Sequence, residues 1–213
     1  MPNSARAAGL AGRWKALCEA AGLTAAVGEG ERLIAAYSEP HRRYHGLAHV
    51  AFLLDEIDRR AALLRDIEVV AFAAWFHDAV YDPRAKDNEL RSAIWAGEVL
   101  AAAGFAPERT QAVEAMILKT ISHHTGEASA DEALFLDMDF AILGAPPAIY
   151  ADYAESIRAE YAFVPDEQFR AGRGAFLVAV LAQPRMFRTE IYEQERGAQA
   201  RANIHSEIAR LTA

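Results

Sequence analysis

The chain has 213 residues, of which 53% are hydrophobic and 24% are charged, and its net charge is −8. This composition excludes a disordered protein, and the length favours one domain with a sizeable core. The 47 alanines favour an all-helical protein over a β-sandwich or a barrel. The acidic balance, without a block of Lys or Arg, argues against long nucleic acids as partners.

The cysteine content and the hydropathy pattern indicate the cellular compartment of the protein. Cys18 is the one cysteine, and we expect a small core residue beside Trp14 and Leu17. We find neither a signal-peptide pattern nor an apolar run of membrane-spanning length. The sequence therefore indicates a cytoplasmic protein that does not associate with membranes.

Apolar spacing and helix stop signals predict about ten helices. The first stops at Gly22, the second ends near Glu39, and a loop precedes a helix with an apolar stripe from Leu47 to Ile57. An almost wholly apolar central helix is predicted from Ile67 to Tyr81. The remaining helices are predicted over 88–103, from 107 towards 123, and over 133–143, 148–163, 166–181 and 190–211. We expect a single-domain, all-α helical bundle over 1–213, with helices 148–211 packed on a core of roughly 40–145.

Three polar residues stand on faces that are otherwise apolar. His77 and Asp78 end the central apolar run, where an unpartnered carboxylate would carry a penalty of several kcal/mol. The pair therefore indicates either a metal site or an Asp paired with Arg or helix N–H groups. Upstream, His45 and His49 are four residues apart, and His49 aligns with Leu53. We therefore expect His49 to point inward.

A later segment offers two carboxylates, Asp137 and Asp139, which on a helix point about 200° apart. Asp139 shares a face with Phe135 and Leu143, so it is the better candidate for the inward side, and Asp137 remains the alternative. With Asp139, the inward-facing polar residues form a set of two imidazoles and two carboxylates: His49, His77, Asp78 and Asp139. Such a set suits one divalent ion of Mn, Fe, Co, Ni, Zn or Mg, with open positions for water and substrate.

This order of a His, a His-Asp pair and a distant Asp resembles the HD-domain superfamily of metal-dependent phosphohydrolases. The segment from Tyr44 to His49 is similar to the first motif of the cyclic nucleotide phosphodiesterases within that superfamily. The strings EPHRRYH (39–45), WFHDAVY (75–81), NE (88–89), LDMD (136–139) and IRAEY (157–161) look like a bacterial group of predicted HD phosphohydrolases. The resemblance implies an all-helical fold of the HD type, a bound metal and hydrolysis of a phosphoester. It further implies that His49 is a metal ligand and that His45 protonates the leaving group. HD proteins with two metals bring further histidines from the helices between the His-Asp pair and the last Asp, and only His123 and His124 are available there, so one metal is expected.

Further residues receive roles from this interpretation. Asp78 or Asp139 would take the proton of the attacking water. Arg42 and Arg43 would clamp phosphate oxygens, although a solvated pair is an equal alternative. Glu89 is a candidate for assisting catalysis and otherwise an ordinary first-turn acid, and His123 is a candidate for contacting the substrate or the metal.

The substrate is expected to be a small phosphorylated molecule such as a nucleotide. Two other classes remain open. An HD-fold di-iron oxygenase would need a richer set of histidines, and a non-catalytic module that binds a nucleotide or metal would keep the fold without turnover. The oligomeric state stays open, and a homo-oligomer is among the states allowed.

Overall fold

The computed structural model describes residues 2–122 and 126–212, which form helices joined by loops and turns, with no β-strand among them. The helices of eight residues or more are α1 (Pro2–Ala20), α2 (Glu29–Ala36), α3 (Leu47–Arg59), α4 (Ile67–Phe76), α5 (Asn88–Ala102), α6 (Pro107–Lys119), α7 (Ala130–Phe140), α8 (Pro147–Glu160), α9 (Asp166–Leu181) and α10 (Ala198–Thr212). The predicted all-α class and the predicted number of helices are confirmed. Within this part of the chain, no single helix is both long and apolar enough to cross a membrane; one bent pair, Ala130–Gly144 with Pro147–Glu160, reaches that standard by joint length and composition only.

The chain divides into two compact units. The first comprises Met1–Ser122 and Ala128–Phe135, and the second comprises His123–Glu127 and Leu136–Ala213. Helix α7 begins in the first unit and ends in the second, because the boundary falls within it. The expectation of a single domain, with the C-terminal helices packed on the metal-site core, stays a prediction.

Helix α4 forms the centre of the first unit. All residues from Val69 to Phe76 are buried, which confirms a central helix that is apolar on every side. Helices α3, α5 and α6 pack against it. Trp14 of α1 lies edge-on to three aromatic rings of α4, at centroid distances of 5.3 to 5.8 Å. Cys18, one turn after Trp14, is fully buried, as expected of a small core residue.

The second unit is built around α10, which packs on α8, on α9 and on the 3₁₀ turn Ala141–Gly144. The helix predicted over 190–211 is interrupted. A short helix, Glu190–Tyr192, is followed by a π-helical turn, Glu193–Gly197, and α10 begins after that turn.

A buried ionic cluster lies between α8, α9 and α10. Glu207 accepts hydrogen bonds from Arg173 at 2.8 and 3.2 Å and from the Tyr150 hydroxyl. Burial and the neighbouring Glu207 raise the pKa of Tyr150.

Candidate metal centre

His49 lies in the first turn of α3. The helix begins after Gly46, whose backbone is extended and whose carbonyl accepts the His49 N–H at 3.0 Å. His49 is 3% exposed, which confirms the inward orientation expected from its spacing with Leu53. Because α3 starts at Leu47, His45 remains in the preceding loop, outside the helix.

The central helix ends sooner than the sequence indicates. The predicted end at Tyr81 is wrong, since α4 stops at Phe76 and the chain then turns away. Groups from other elements hold this turn. The hydroxyl of Tyr37 accepts a hydrogen bond from the Asp78 N–H at 3.2 Å, and the hydroxyl of Ser92 accepts one from the Val80 N–H at 3.0 Å. The turn places Asp78 outside the helix, beside the imidazole that precedes it.

The tautomer of His77 follows from its hydrogen bond to the helix. Its Nδ1 lies 3.1 Å from the carbonyl oxygen of Ala74, and a carbonyl oxygen accepts only. Nδ1 therefore carries a hydrogen. A neutral imidazole has one N–H, so Nε2 of neutral His77 presents a lone pair. The ring is held in this orientation in the interior, since the residue is only 1% exposed.

Three candidate ligand atoms converge in the first unit. His77 Nε2 lies 3.1 Å from His49 Nε2 and 3.0 Å from Asp78 Oδ2. The remaining pair, His49 Nε2 and Asp78 Oδ2, is 3.9 Å apart. Lone pairs of an imidazole and a carboxylate repel at such distances unless a proton or a cation lies between them. Nitrogens at about 2.0–2.1 Å from one zinc-sized ion are about 3 Å apart. The two separations at His77 Nε2 therefore fit ligands of one metal ion, whereas the 3.9 Å separation is wider than that of neighbouring ligands.

His45 lies beside this group in the loop before α3. Its ring stacks on Tyr81 at a centroid distance of 4.4 Å and meets Tyr44 edge-on at 5.0 Å. The ring of His49 is 6.2 Å away. The structure thus brings His45 near the three candidate ligands, and its role as a proton donor stays a prediction.

Arg42 differs most from its expected setting. Its side chain is 1% exposed, whereas a phosphate clamp was expected to face the substrate. All three guanidinium nitrogens donate to protein acceptors, which include the carbonyls of His45, Asp78 and Ala79. The neighbouring Arg43 is exposed, and its contact with a substrate stays a prediction.

Glu89 and His123 are the remaining candidates. Glu89 is the second residue of α5 and is half-buried, and its carboxylate makes no hydrogen bond or ion pair with the rest of the described chain. This position fits an ordinary first-turn acid as well as a catalytic one. His123 and His124 lie outside the described residues.

The two carboxylates of α7 are buried in the opposite order to the one expected. Asp137 is 2% exposed and Asp139 is half-buried, so Asp137 is the more buried of the two, and the choice of Asp139 over Asp137 as a ligand stays a prediction. Asp137 accepts hydrogen bonds from the backbone N–H groups of Arg188 and Thr189, both at 2.7 Å, and from the Thr189 hydroxyl at 2.6 Å. Burial raises the pKa of Asp137 even though these donors oppose the shift. Its oxygens therefore cap a turn of the second unit, and the ligand role of Asp139 stays a prediction.

Comparisons of the chain with protein-family models, with curated proteins and with solved structures found no match. The functional interpretation therefore depends on the residues of the site and on their geometry.

Proposed function

We propose that the chain is a metal-dependent hydrolase of small phosphoesters. The observation that carries this proposal is the closeness of three candidate ligand atoms, with the lone pair of His77 Nε2 facing Asp78 Oδ2 at 3.0 Å and His49 Nε2 at 3.1 Å. Imidazole nitrogens and a carboxylate suit the divalent ions from Mn to Zn, and Mg less well. A structural zinc site more often uses cysteines, and the one cysteine, Cys18, lies in α1.

Asp139 is kept in the proposal as a further ligand. Phe135 of α7 lies edge-on to the His77 ring, at a centroid distance of 5.9 Å. Asp139 follows Phe135 by four residues on the same helix, and residues at that spacing share a helix face. The alternative ligand, Asp137, already accepts three hydrogen bonds.

The proposed reaction transfers a phosphoryl group to water. A divalent ion bound by His49, His77 and Asp78 would lower the pKa of a bound water and offset charge on the phosphoryl oxygens. The water oxygen forms a bond to phosphorus while the bond from phosphorus to the leaving oxygen breaks. Asp78 accepts the proton that the water loses, and His45 donates a proton to the leaving oxygen. The products are an alcohol and a phosphate.

The broader setting is part of the same proposal. The order of His49, the pair His77 and Asp78, and Asp139 supports membership of the HD-domain superfamily, to which the sequence bears its resemblance. The expected substrate is a small phosphorylated molecule, and the acidic composition supports neither long nucleic acid nor a membrane as partner. A single buried cysteine suits a reducing compartment such as the cytoplasm.

The proposal is tested by phosphate release from a panel of phosphomonoesters and phosphodiesters, in the presence of Mn²⁺, Co²⁺, Zn²⁺ or Mg²⁺. Hydrolysis is expected to depend on the added ion and to be lost in His77→Ala. His205→Ala is the matched control, because His205 lies exposed on α10, and it should retain full activity. Equal activity of His77→Ala and the wild type would contradict the proposal.

The fourth ligand needs a test of its own. Asp139→Asn should weaken Co²⁺ binding, since the amide replaces a charged ligand by a neutral one. Asp152→Asn, an exposed position on α8, provides the same chemical change as a control. Co²⁺ binding that is equal in both variants would remove Asp139 from the ligand set.

A further inference from the structure

The buried side chain of Arg42 connects two segments of the first unit, the loop that contains His45 and the turn that contains Asp78. It lies in the loop between α2 and α3, and its guanidinium sits over the rings of Tyr37 and Tyr81 at 5.0 and 5.4 Å. Its Nε donates to Glu39 Oε2 at 3.0 Å, and this is its ion pair. Because the side chain is almost fully buried, its remaining donors serve the protein itself.

The backbone acceptors of Arg42 flank the candidate site on both sides. Nη1 donates to the carbonyl of His45 at 3.1 Å and to the carbonyl of Asp78 at 2.6 Å. Nη2 donates to the carbonyl of Ala79 at 2.9 Å. One carbonyl thus belongs to the residue proposed as proton donor, and another belongs to a proposed metal ligand. A single rigid, planar group therefore fixes the spacing of the two segments.

We propose that Arg42 is a positioning residue, which holds the loop of His45 and the turn of Asp78 in the arrangement that binds metal. The inference rests on the proposed function, since it gives Arg42 a role toward that same site. Metal ligands must be held close to their binding geometry before the ion arrives, and groups that orient ligands affect metal affinity by about 10–100-fold. Arg42 meets this need without touching the substrate.

The guanidinium is required for this role because of its shape. Lysine keeps the positive charge, but its single ammonium lacks the planar fork that reaches Glu39 and the two segments together. Methionine keeps much of the apolar stem and removes every donor. Comparison of Arg42→Lys and Arg42→Met with the wild type therefore separates the effect of the charge from the effect of the hydrogen bonds that connect the two segments.

The test measures both consequences in the full-length protein. Co²⁺ affinity is obtained by calorimetric titration, and backbone hydrogen exchange is followed by mass spectrometry in peptides that cover 43–48 and 77–82. Arg91→Met is the matched control, since Arg91 is exposed on α5. Both Arg42 variants should bind Co²⁺ about 10–100-fold more weakly and exchange faster in the two segments, whereas α4 stays protected. Arg91→Met should match the wild type.

The outcomes separate this inference from the proposed function. If Arg42→Lys folds and keeps the wild-type Co²⁺ affinity and exchange, the inference is overturned. A merely structural role would lower the midpoint of thermal unfolding and leave the Co²⁺ affinity of the folded protein unchanged, which also overturns it. If the wild type itself binds no Co²⁺, the proposed function fails. Hydrogen exchange in Arg42→Lys then still tests whether Arg42 connects the two segments. Faster exchange in both segments supports this connection, and unchanged exchange overturns it.

Discussion

The buried cluster around Glu207 predicts a large loss of stability on truncation. In Glu207→Ala, Arg173 loses hydrogen bonds of 2.8 and 3.2 Å, and the Tyr150 hydroxyl loses its acceptor. The side chains of Arg173 and Glu207 are 8% and 6% exposed, so water does not readily replace the lost carboxylate. Breaking such a buried pair costs about 3–5 kcal/mol of unfolding free energy. For a chain of this size the loss corresponds to a midpoint lower by about 6–20 °C.

Thermal unfolding followed by circular dichroism at 222 nm provides the assay. The control is Arg185→Ala, which removes an ion pair to Glu190 whose side chains are 44% and 68% exposed. Exposed pairs contribute less than about 1 kcal/mol, so this variant should unfold close to the wild type. A Glu207→Ala protein that loses no more stability than Arg185→Ala would refute the reasoning about burial.

Three further predictions concern single groups. Cys18 is fully buried, and burial raises the pKa of its thiol to about 11, so reaction with a disulfide reagent at pH 8 should be slow in the native protein and complete after denaturation. Rapid native labelling would contradict this. Partial burial tends to raise the pKa of Asp66, but hydrogen bonds from Arg109 and a backbone N–H hold it below the ordinary value of a carboxyl group. The stability that Asp66 contributes is therefore present above its unfolded-state pKa and is lost as the pH falls through its folded-state pKa. The gap in unfolding free energy between the wild type and Asp66→Asn should accordingly shrink from pH 5 to pH 2, and a constant gap would rule out this linkage. His45→Ala should retain Co²⁺ yet lose about 10²–10⁴ in rate on an alkyl phosphoester, with a smaller loss on a p-nitrophenyl ester; equal losses on both esters would exclude a proton donor.

Local sequence signals were sufficient for most of the fold. The helix predicted over 166–181 matches α9, because Pro165 and two first-turn acids define its start. Helix α4 was predicted from its apolar residues alone, and its end was misplaced. The groups that turn the chain after Phe76 come from Tyr37 and Ser92, and their spacing along the chain carries no periodic signal.

The candidate site was predictable only in part, for the same physical reason. His49 was identified because helical spacing puts it on the buried face, and His77 with Asp78 because polar groups interrupt an apolar run. The burial of Asp137 depends on donors at Arg188 and Thr189, which lie about fifty positions further along the chain. The spacing of apolar residues within one helix gives no information about hydrogen-bond partners so distant in the sequence.

The most direct test of the metal centre is the metal stoichiometry of the folded chain. Protein freed of metal by a chelator is titrated with Co²⁺ in a calorimeter, and the same titration is run on His49→Ala and on the exposed control His205→Ala. The wild type and His205→Ala are expected to bind one ion per chain, and His49→Ala is expected to lose this binding. A wild type that binds Co²⁺ no better than His49→Ala would contradict the assignment of His49, His77 and Asp78 as metal ligands.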